Sequence, residues 1–312
     1  MIRVRDRRVM DTDVMTNGIL LLDKPAGMSS NAAVQRVRRA FGREKAGHTG
    51  SLDPLATGVL PICLGEATKV AGYLLEGDKE YEFIARFGAR TATGDTEGEI
   101  IERCEVPDDL RAELDLAIPR YLGTIAQVPP MYSALKRDGQ PLYRLARQGI
   151  TVEREARAVT IHELELLAVD GTDARCRVRC SKGTYVRTLA EDLAQSMGSC
   201  AHLIALRRTA VAPFPRGGMA TLEQVEASPS SVTLLPADAA LPQLPSLQLD
   251  KALAGRLRQG QTIRAESAGD LPPGLVRVYD PVARFLGIGA VEEGGPTVKP
   301  IRLFNDLGPT PT

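Results

Sequence analysis

The sequence predicts an α+β fold: one large domain on a largely antiparallel mixed sheet with flanking helices, then a small β-rich domain at the C-terminal end. Three observations carry this. Two stretches alternate apolar and polar residues with a period of two, as half-buried strands do. Tyr81, Phe83, Ala85 and Phe87 oppose Glu82 and Arg86; Ala174, Cys176, Val178 and Cys180 oppose Arg175, Arg177 and Arg179. Two other stretches space apolar residues as a helix does, Val34–Val37–Phe41 and Leu189–Leu193–Met197. The elements also lack the regular βα alternation of a doubly wound parallel sheet.

Residues 1–17 are charged, Met-rich and aperiodic, and read as a loose N-terminal extension. Gly18 to Leu22 is a short buried strand, and Lys24-Pro25-Ala26-Gly27 turns the chain. Ser29 or Ser30 can cap the first helix, and Gly42 is well placed to end it. The strand Ala174 to Cys180 ends in a turn at Gly183, a helix carries Leu189, and His202 to Val211 is another strand. Leu235 to Leu249 holds Pro236, Pro242 and Pro245 without a clear period, so it reads as a linker. Beyond it lie short strands such as Leu275 to Tyr279 and Phe285 to Val291. No internal repeat is present.

With 312 residues, 43% of them hydrophobic, the chain can build a large domain plus a small one. Its 39 basic and 39 acidic residues cancel, so net charge gives no hint of nucleic acid. The distribution does. Residues 31–50 hold Arg36, Arg38, Arg39, Arg43 and Lys45 against Glu44. Residues 131–160 hold Lys136, Arg137, Arg144, Arg147, Arg154 and Arg157 against Asp138, Glu153 and Glu155, whereas 76–120 are predominantly acidic. Segregation of this kind makes a basic face possible at zero net charge; the bland reading is a set of solvated helix faces. The apolar run Ile19 to Leu22 is too short for a membrane span or a signal peptide. Five cysteines without a C-x-x-C pair predict buried free thiols in a reducing cytosol. His48, His162 and His202 are scattered and offer no metal site of recognisable spacing.

The chemistry-bearing segment is GHTGSLDPLATGVL, Gly47 to Leu60. Asp53 is its one carboxylate, set among glycines and hydroxyl residues, which suits a nucleophile or general base. The structural alternative is an Asp53 N-cap followed by Pro54 at the first helical position. Gly42 to Thr49 has the frame of a phosphate-binding loop, but His48 replaces its lysine and the stretch follows a helix, which argues against a nucleotide hydrolase. In Cys180-Ser-Lys-Gly-Thr-Tyr-Val-Arg187, an extended backbone puts Tyr185 and Arg187 on one face, and the forked donors of Arg187 suit a carboxylate such as Asp53. Val128 to Arg147 interleaves cations with Tyr132 and Tyr143, a mixture fit for phosphates and unpaired bases.

These residues resemble the bacterial tRNA pseudouridine-55 synthase family. The matching stretches are GILLLDKPAGMSS, GHTGSLDPLATGVLPICLGEATK, KEYEF, VPPMYSALKRDGQPLYRLARQG, CSKGTYVRTLAEDL and ALRRTAVAPF, in the family's order over about 18–215. The tail, about 246–305, is similar to the small RNA-binding PUA domain. The resemblance implies a catalytic domain over 18–240, in which 124–150 grips RNA, and a PUA-like domain over 246–305. It implies isomerisation of one uridine in the T-loop of tRNA, flipped out of its stack first, with no cofactor and no metal. Asp53 is then the nucleophile, Arg187 holds it, and Tyr81 stacks on the base and is a candidate, with water, for removing the C5 proton. Tyr185 and Leu206 line the pocket, His48 helps fill the space the base leaves, and Lys24-Pro25 braces the Asp53 loop. A monomeric cytoplasmic enzyme acting on the tRNA T-arm, away from membranes, is the expectation. The alternative is a tRNA-binding or tRNA-folding protein whose chemistry is secondary.

Overall fold

The computed structural model describes residues 17–43, 45–137 and 139–305; of the expected N-terminal extension only Asn17 lies within them. Strand β1 (Gly18–Lys24) is buried on both faces, Leu20 and Leu22 toward one core and Ile19 and Leu21 toward another, hence its unbroken apolar run. Helix α1 (Ser30–Ala40) is capped by Ser29, whose side chain accepts from the Ala32 N–H at 3.1 Å, and Gly42 follows its end with a φ of 72°. Then come β2 (Ala46–His48), β3 (Thr57–Leu64), α2 (Ala71–Leu75), β4 (Lys79–Phe87) and a hairpin of β5 (Ala89–Thr91) and β6 (Ile100–Arg103). Helix α3 (Leu110–Ala117) and β7 (Gly123–Gln127) lead to a small excursion, β8 (Lys136–Arg137), β9 (Gln140–Pro141) and α4 (Leu142–Arg147). The chain returns through β10 (Arg157–Asp170), β11 (Asp173–Cys180), α5 (Val186–Ser196), β12 (Ala201–Val211), β13 (Ala220–Thr221) and α6 (Leu222–Ala227).

Nine of these strands form one mixed sheet ordered β13-β1-β3-β12-β4-β11-β10-β7, with β2 on β3, while β5–β6 and β8–β9 pair apart from it. Only β1–β13 and β3–β12 pair in parallel, so the sheet is largely antiparallel, as the sequence predicts. Phe83, Ala85, Phe87, Ala174, Cys176, Val178 and Cys180 are buried as their alternation requires, packed with residues of α1, α3, α5 and α6. On the opposite face Arg175, Arg177 and Arg179 pair with Glu82, Glu165 and Glu163.

A second sheet, of β14 (Ser246–Gln248), β15 (Ile263–Arg264), β16 (Gly274–Tyr279), β17 (Phe285–Val291) and β18 (Thr297–Leu303), carries α7 (Lys251–Arg258) and its own apolar core. Two expectations are corrected here. The 235–249 segment is not a free linker: Leu235 exchanges backbone hydrogen bonds with Ile19 at 2.8 and 2.9 Å, and Ala237, Ala240 and Leu241 are buried. Its apolar residues give it something to pack on, and its prolines shape the path without loosening it. The cysteines are not all free: Cys104 and Cys200 form a disulfide, their Cα atoms 5.7 Å apart across 96 residues, while Cys63, Cys176 and Cys180 are buried thiols. The return of β6 to the start of β12 makes that pair, which sequence spacing does not signal. Among the described residues no helix is long and apolar enough to cross a membrane.

Candidate active site

Asp53 sits on the loop between β2 and β3, and three side chains pin that loop at alternate residues. Arg208 Nη2 donates to the Gly50 carbonyl at 3.1 Å. The Ser30 hydroxyl accepts from the Leu52 N–H at 2.7 Å and donates to the Leu52 carbonyl at 3.0 Å. Lys24 Nζ, fully buried, reaches the carbonyls of Pro25 and Met28 at 2.8 Å and of Pro54 at 3.4 Å, tying the 25–28 turn to the residue after Asp53. Burial pulls the Lys24 pKa down to about 8. No helix follows Asp53, so it is not an N-cap. Gly58 is obligatory for the return into β3: its φ is 99°, and a Cβ there would lie 2.1 Å from the Arg208 carbonyl.

Arg187 faces Asp53 from the first turn of α5. Tyr185 is the N-cap of that helix and Arg187 lies inside it, so the two do not share an extended face; helix formation directly after Gly183 overrides the strand reading. They still converge, because Gln127 holds the turn, donating to the Tyr185 carbonyl at 3.1 Å and accepting its N–H at 2.8 Å. Arg187 is 4% exposed. Its Nε approaches Asp53 Oδ2 at 3.0 Å, while Nη1 donates to the Thr93 carbonyl at 2.5 Å and Nη2 to the Tyr132 carbonyl at 2.7 Å. The fork is thus committed to backbone, and Asp53 receives a single charged contact.

Asp53 is not a lone carboxylate in space. Asp95 is buried, with Oδ2 4.0 Å from Arg187 Nε; its Oδ1 accepts from Thr93 Oγ1 at 2.5 Å and from the Glu97 N–H at 3.0 Å. The segment between β5 and β6 therefore supplies a second acidic wall. Asp53 is 39% exposed. Its exposed part lines a cavity. Burial raises its pKa above the ordinary aspartate value, Arg187 opposes the rise and Asp95 adds to it.

The cavity measures about 290 Å³ and is lined by Asp53, Tyr81, Tyr185, Arg187 and Leu206, together with Ser133, Lys79 and Arg208. Burial raises the phenol pKa of both Tyr81 and Tyr185. His48 is half-buried on β2 and is not among the lining residues; burial and then Arg208 lower its pKa. Asp95, Glu97 and Arg208 were not singled out from sequence. Asp95 had a signal, an Asp in the turn-rich run Thr91-Ala-Thr-Gly-Asp-Thr-Glu-Gly98, and Arg208 lies in the family-matching stretch ALRRTAVAPF. The 131–160 cations gather beside the cavity. Lys136, Arg137, Arg154 and Arg157 line a neighbouring groove, and the Arg147 guanidinium lies 5.7 Å from the centre of the Tyr143 ring.

The chain matches three family models: TruB family pseudouridylate synthase (N terminal domain) over 38–186, tRNA pseudouridylate synthase B C-terminal domain over 187–242, and Pseudouridine synthase II TruB, C-terminal over 245–304. It is 53% identical over 295 residues to a tRNA pseudouridine synthase B of Ectopseudomonas mendocina (strain ymp), covering 92% of this chain and 95% of the relative. It is 51% identical over 295 residues to one of Pseudomonas putida (strain GB-1), with the same coverage of both. Among solved structures, a chain of a Cbf5-Nop10-Gar1 complex shares the fold with a TM-score of 0.70 at 24% identity, over 94% of this chain and 86% of that one. A chain of an H/ACA RNP bound to a substrate RNA containing 2′-deoxyuridine does so with 0.68 at 22%, over 96% and 93%.

Proposed function

This chain belongs to the TruB family of pseudouridine synthases, and from that premise we propose that it isomerises uridine to pseudouridine in tRNA, acting on the uridine at position 55 of the T-loop. The observation that carries the reading is the Asp53 carboxylate, 3.0 Å from a buried Arg187 and opening onto a cavity walled by Tyr81 and Tyr185. The N1–C1′ bond breaks, the base turns, C5 bonds to C1′, C5 loses its proton and N1 gains one. Atoms and electrons balance within the nucleotide, so the reaction itself requires no oxidant, reductant or group donor. Asp53 serves whether its carboxylate adds to C6, attacks C1′ or takes a ribose proton, since each route needs the ionised form. Arg187 fixes its direction. Tyr81 stacks on the flipped base beside C5, Tyr185 and Leu206 close the pocket, and His48 fills the space the base vacates.

The T-arm docks against the 124–150 segment, whose cations interleave with Tyr132 and Tyr143, and against the PUA-like domain of 246–305, which the resemblance makes an RNA binder. Every group in the reading comes from one chain, which supports a working monomer, and a tRNA substrate supports a cytoplasmic site of action. Purified protein incubated with unmodified tRNA transcript, without added metal or nucleotide, is expected to yield pseudouridine at that position. Asp53→Asn is expected to keep tRNA affinity within a few-fold and to lose turnover. Multiple-turnover product from that variant would remove Asp53 from its role. Binding by the wild type without product would favour a purely RNA-folding protein.

A further inference from the structure

Arg208 is among the largest fully buried side chains of the molecule, 1% exposed. Its Nε donates to the Val59 carbonyl at 2.8 Å and its Nη2 to the Gly50 carbonyl at 3.1 Å. Among the described residues it forms no ion pair. A buried cation without a counter-charge is a costly arrangement, because desolvation is not offset by Coulombic attraction. Two carbonyls offset only part of that cost. The charge is therefore turned toward something else.

What it faces is Tyr81. The two residues are direct partners in the β12–β4 register and both line the cavity, and the Arg208 charge favours the ionised form of the phenol. The other groups around this pair are Lys79, Lys24 and His48, which the Arg208 charge disfavours in their cationic forms, and Cys180 and Asp53 on the acidic side of the phenol.

We propose that Arg208 is a positioning residue of the isomerisation: it aims the Tyr81 phenol at the flipped base and stabilises the phenolate that receives the C5 proton. This rests on the reading of Tyr81 as the group beside C5. Once C5 has bonded to C1′, the C5–H bond breaks. The proton passes to the Tyr81 oxygen and the electron pair re-forms the C5–C6 double bond; the C6–N1 double bond gives its pair to N1, which is protonated by solvent, or, where Asp53 has added to C6, the carboxylate leaves with its pair. Tyr81 returns its proton to water before the next turnover. Burial opposes the phenolate and Arg208 offsets part of that opposition, so loss of the guanidinium charge slows the transfer.

The test is single-turnover conversion, at saturating protein, of T-arm RNA carrying protium or deuterium at C5 of the target uridine. Wild type, Arg208→Gln, Arg208→Lys and Tyr81→Phe are compared, with circular dichroism as the check on folding. Gln keeps a donor for Val59 in the place of Nε but removes both the charge and the Gly50 contact, and the isotope effect distinguishes the two losses. Its rate is expected to fall about tenfold, the effect of one pKa unit in the accepting base, and to acquire a primary isotope effect larger than that of wild type. Lys keeps the charge and is expected to recover part of the rate and lose part of the isotope effect. If Gln fails to fold, the isotope effect of Lys, raised above wild type, carries the test. A slower Arg208 variant with the wild-type isotope effect, or one with an unchanged rate, overturns the proposal and leaves Arg208 as a brace for Gly50 and Val59. Tyr81→Phe separates the two failures: a wild-type rate there overturns the role of Tyr81 itself, whereas a slow Tyr81→Phe beside a fast Arg208→Gln overturns only the role of Arg208.

Discussion

The Asp53 carboxylate must be ionised in every route open to it, and its surroundings work against ionisation. Burial raises its pKa above the ordinary 3.8, with Asp95 adding to the rise and Arg187 opposing it. Because the charged form is the active one, lowering the pH removes activity, and a raised pKa makes that loss begin at a higher pH than for a free aspartate. The acid limb of the single-turnover rate is therefore expected above pH 3.8; a limb at or below it would contradict the burial argument. Arg187 opposes that rise through a single contact, while its other nitrogens hold Thr93 and Tyr132. In Arg187→Lys one ammonium must replace three donors that point in three directions. We expect the saturated single-turnover rate to drop on the order of a hundredfold, as for a catalytic group displaced by about an ångström. A loss confined to affinity would make Arg187 an RNA contact.

The element that holds Arg187 from behind is the β5–β6 hairpin. Its tip runs across α5, and Leu203 N–H on β12 bonds the Gly94 carbonyl at 2.9 Å. Gly94 has a φ of 75°, and a Cβ there would lie 2.8 Å from Glu191 Oε1 and 3.4 Å from Arg187 Cβ. Gly94→Ala is thus strained in its backbone and crowded against a carboxylate. We expect it to lift the Thr93 carbonyl and Asp95 from Arg187, lowering the single-turnover rate with tRNA affinity unchanged within a few-fold. An unchanged rate would show that the hairpin is dispensable to the site. The hairpin's part in the site was hard to read from sequence. Asp95 and Arg187 are far apart in the chain, and no period links a turn to the first turn of a later helix. The strands themselves were legible, because alternation at Tyr81 to Phe87 and Ala174 to Cys180 is a local consequence of burying one face.

Across the whole molecule, the two sheets are joined by an apolar contact and not by a tether. Phe285, Ile288 and Phe304 of the C-terminal part share a cluster with Ile19, Leu21, Val59, Leu74 and Phe214, and the Phe285 and Phe304 rings meet tilted by 54° with centroids 5.0 Å apart. Lys69 closes the edge, donating to the Leu303 carbonyl at 2.8 Å. Phe285→Ala is expected to cost about 3–5 kcal/mol in chemical denaturation, as for a buried Phe replaced by Ala. A cost under about 1 kcal/mol, the range of surface changes, would mean the docking is weak. Truncation before 246 exposes the same cluster and is expected to destabilise the remaining chain. On the RNA side, Lys136, Arg144 and Arg147 form no ion pair among the described residues, and Arg144 and Arg147 are exposed. Affinity for tRNA should fall linearly on a log–log plot against salt, and each neutralised cation should lower the slope by roughly one or less. A flat salt dependence would contradict a phosphate-gripping surface.

Fold class, family and the segment that carries Asp53 were legible in the chain alone, because alternation, helical spacing and ordered motifs are written within a few residues of one another. The tertiary structure decided what those residues do to each other. It committed the Arg187 fork to carbonyls, brought Asp95 beside Asp53, set Arg208 against Tyr81, joined Cys104 to Cys200 and packed the 235–249 segment. Each of these is a pairing between residues distant in the chain. Such pairings are chosen by sheet order and by the competition of buried polar groups for partners, and neither is encoded in local periodicity.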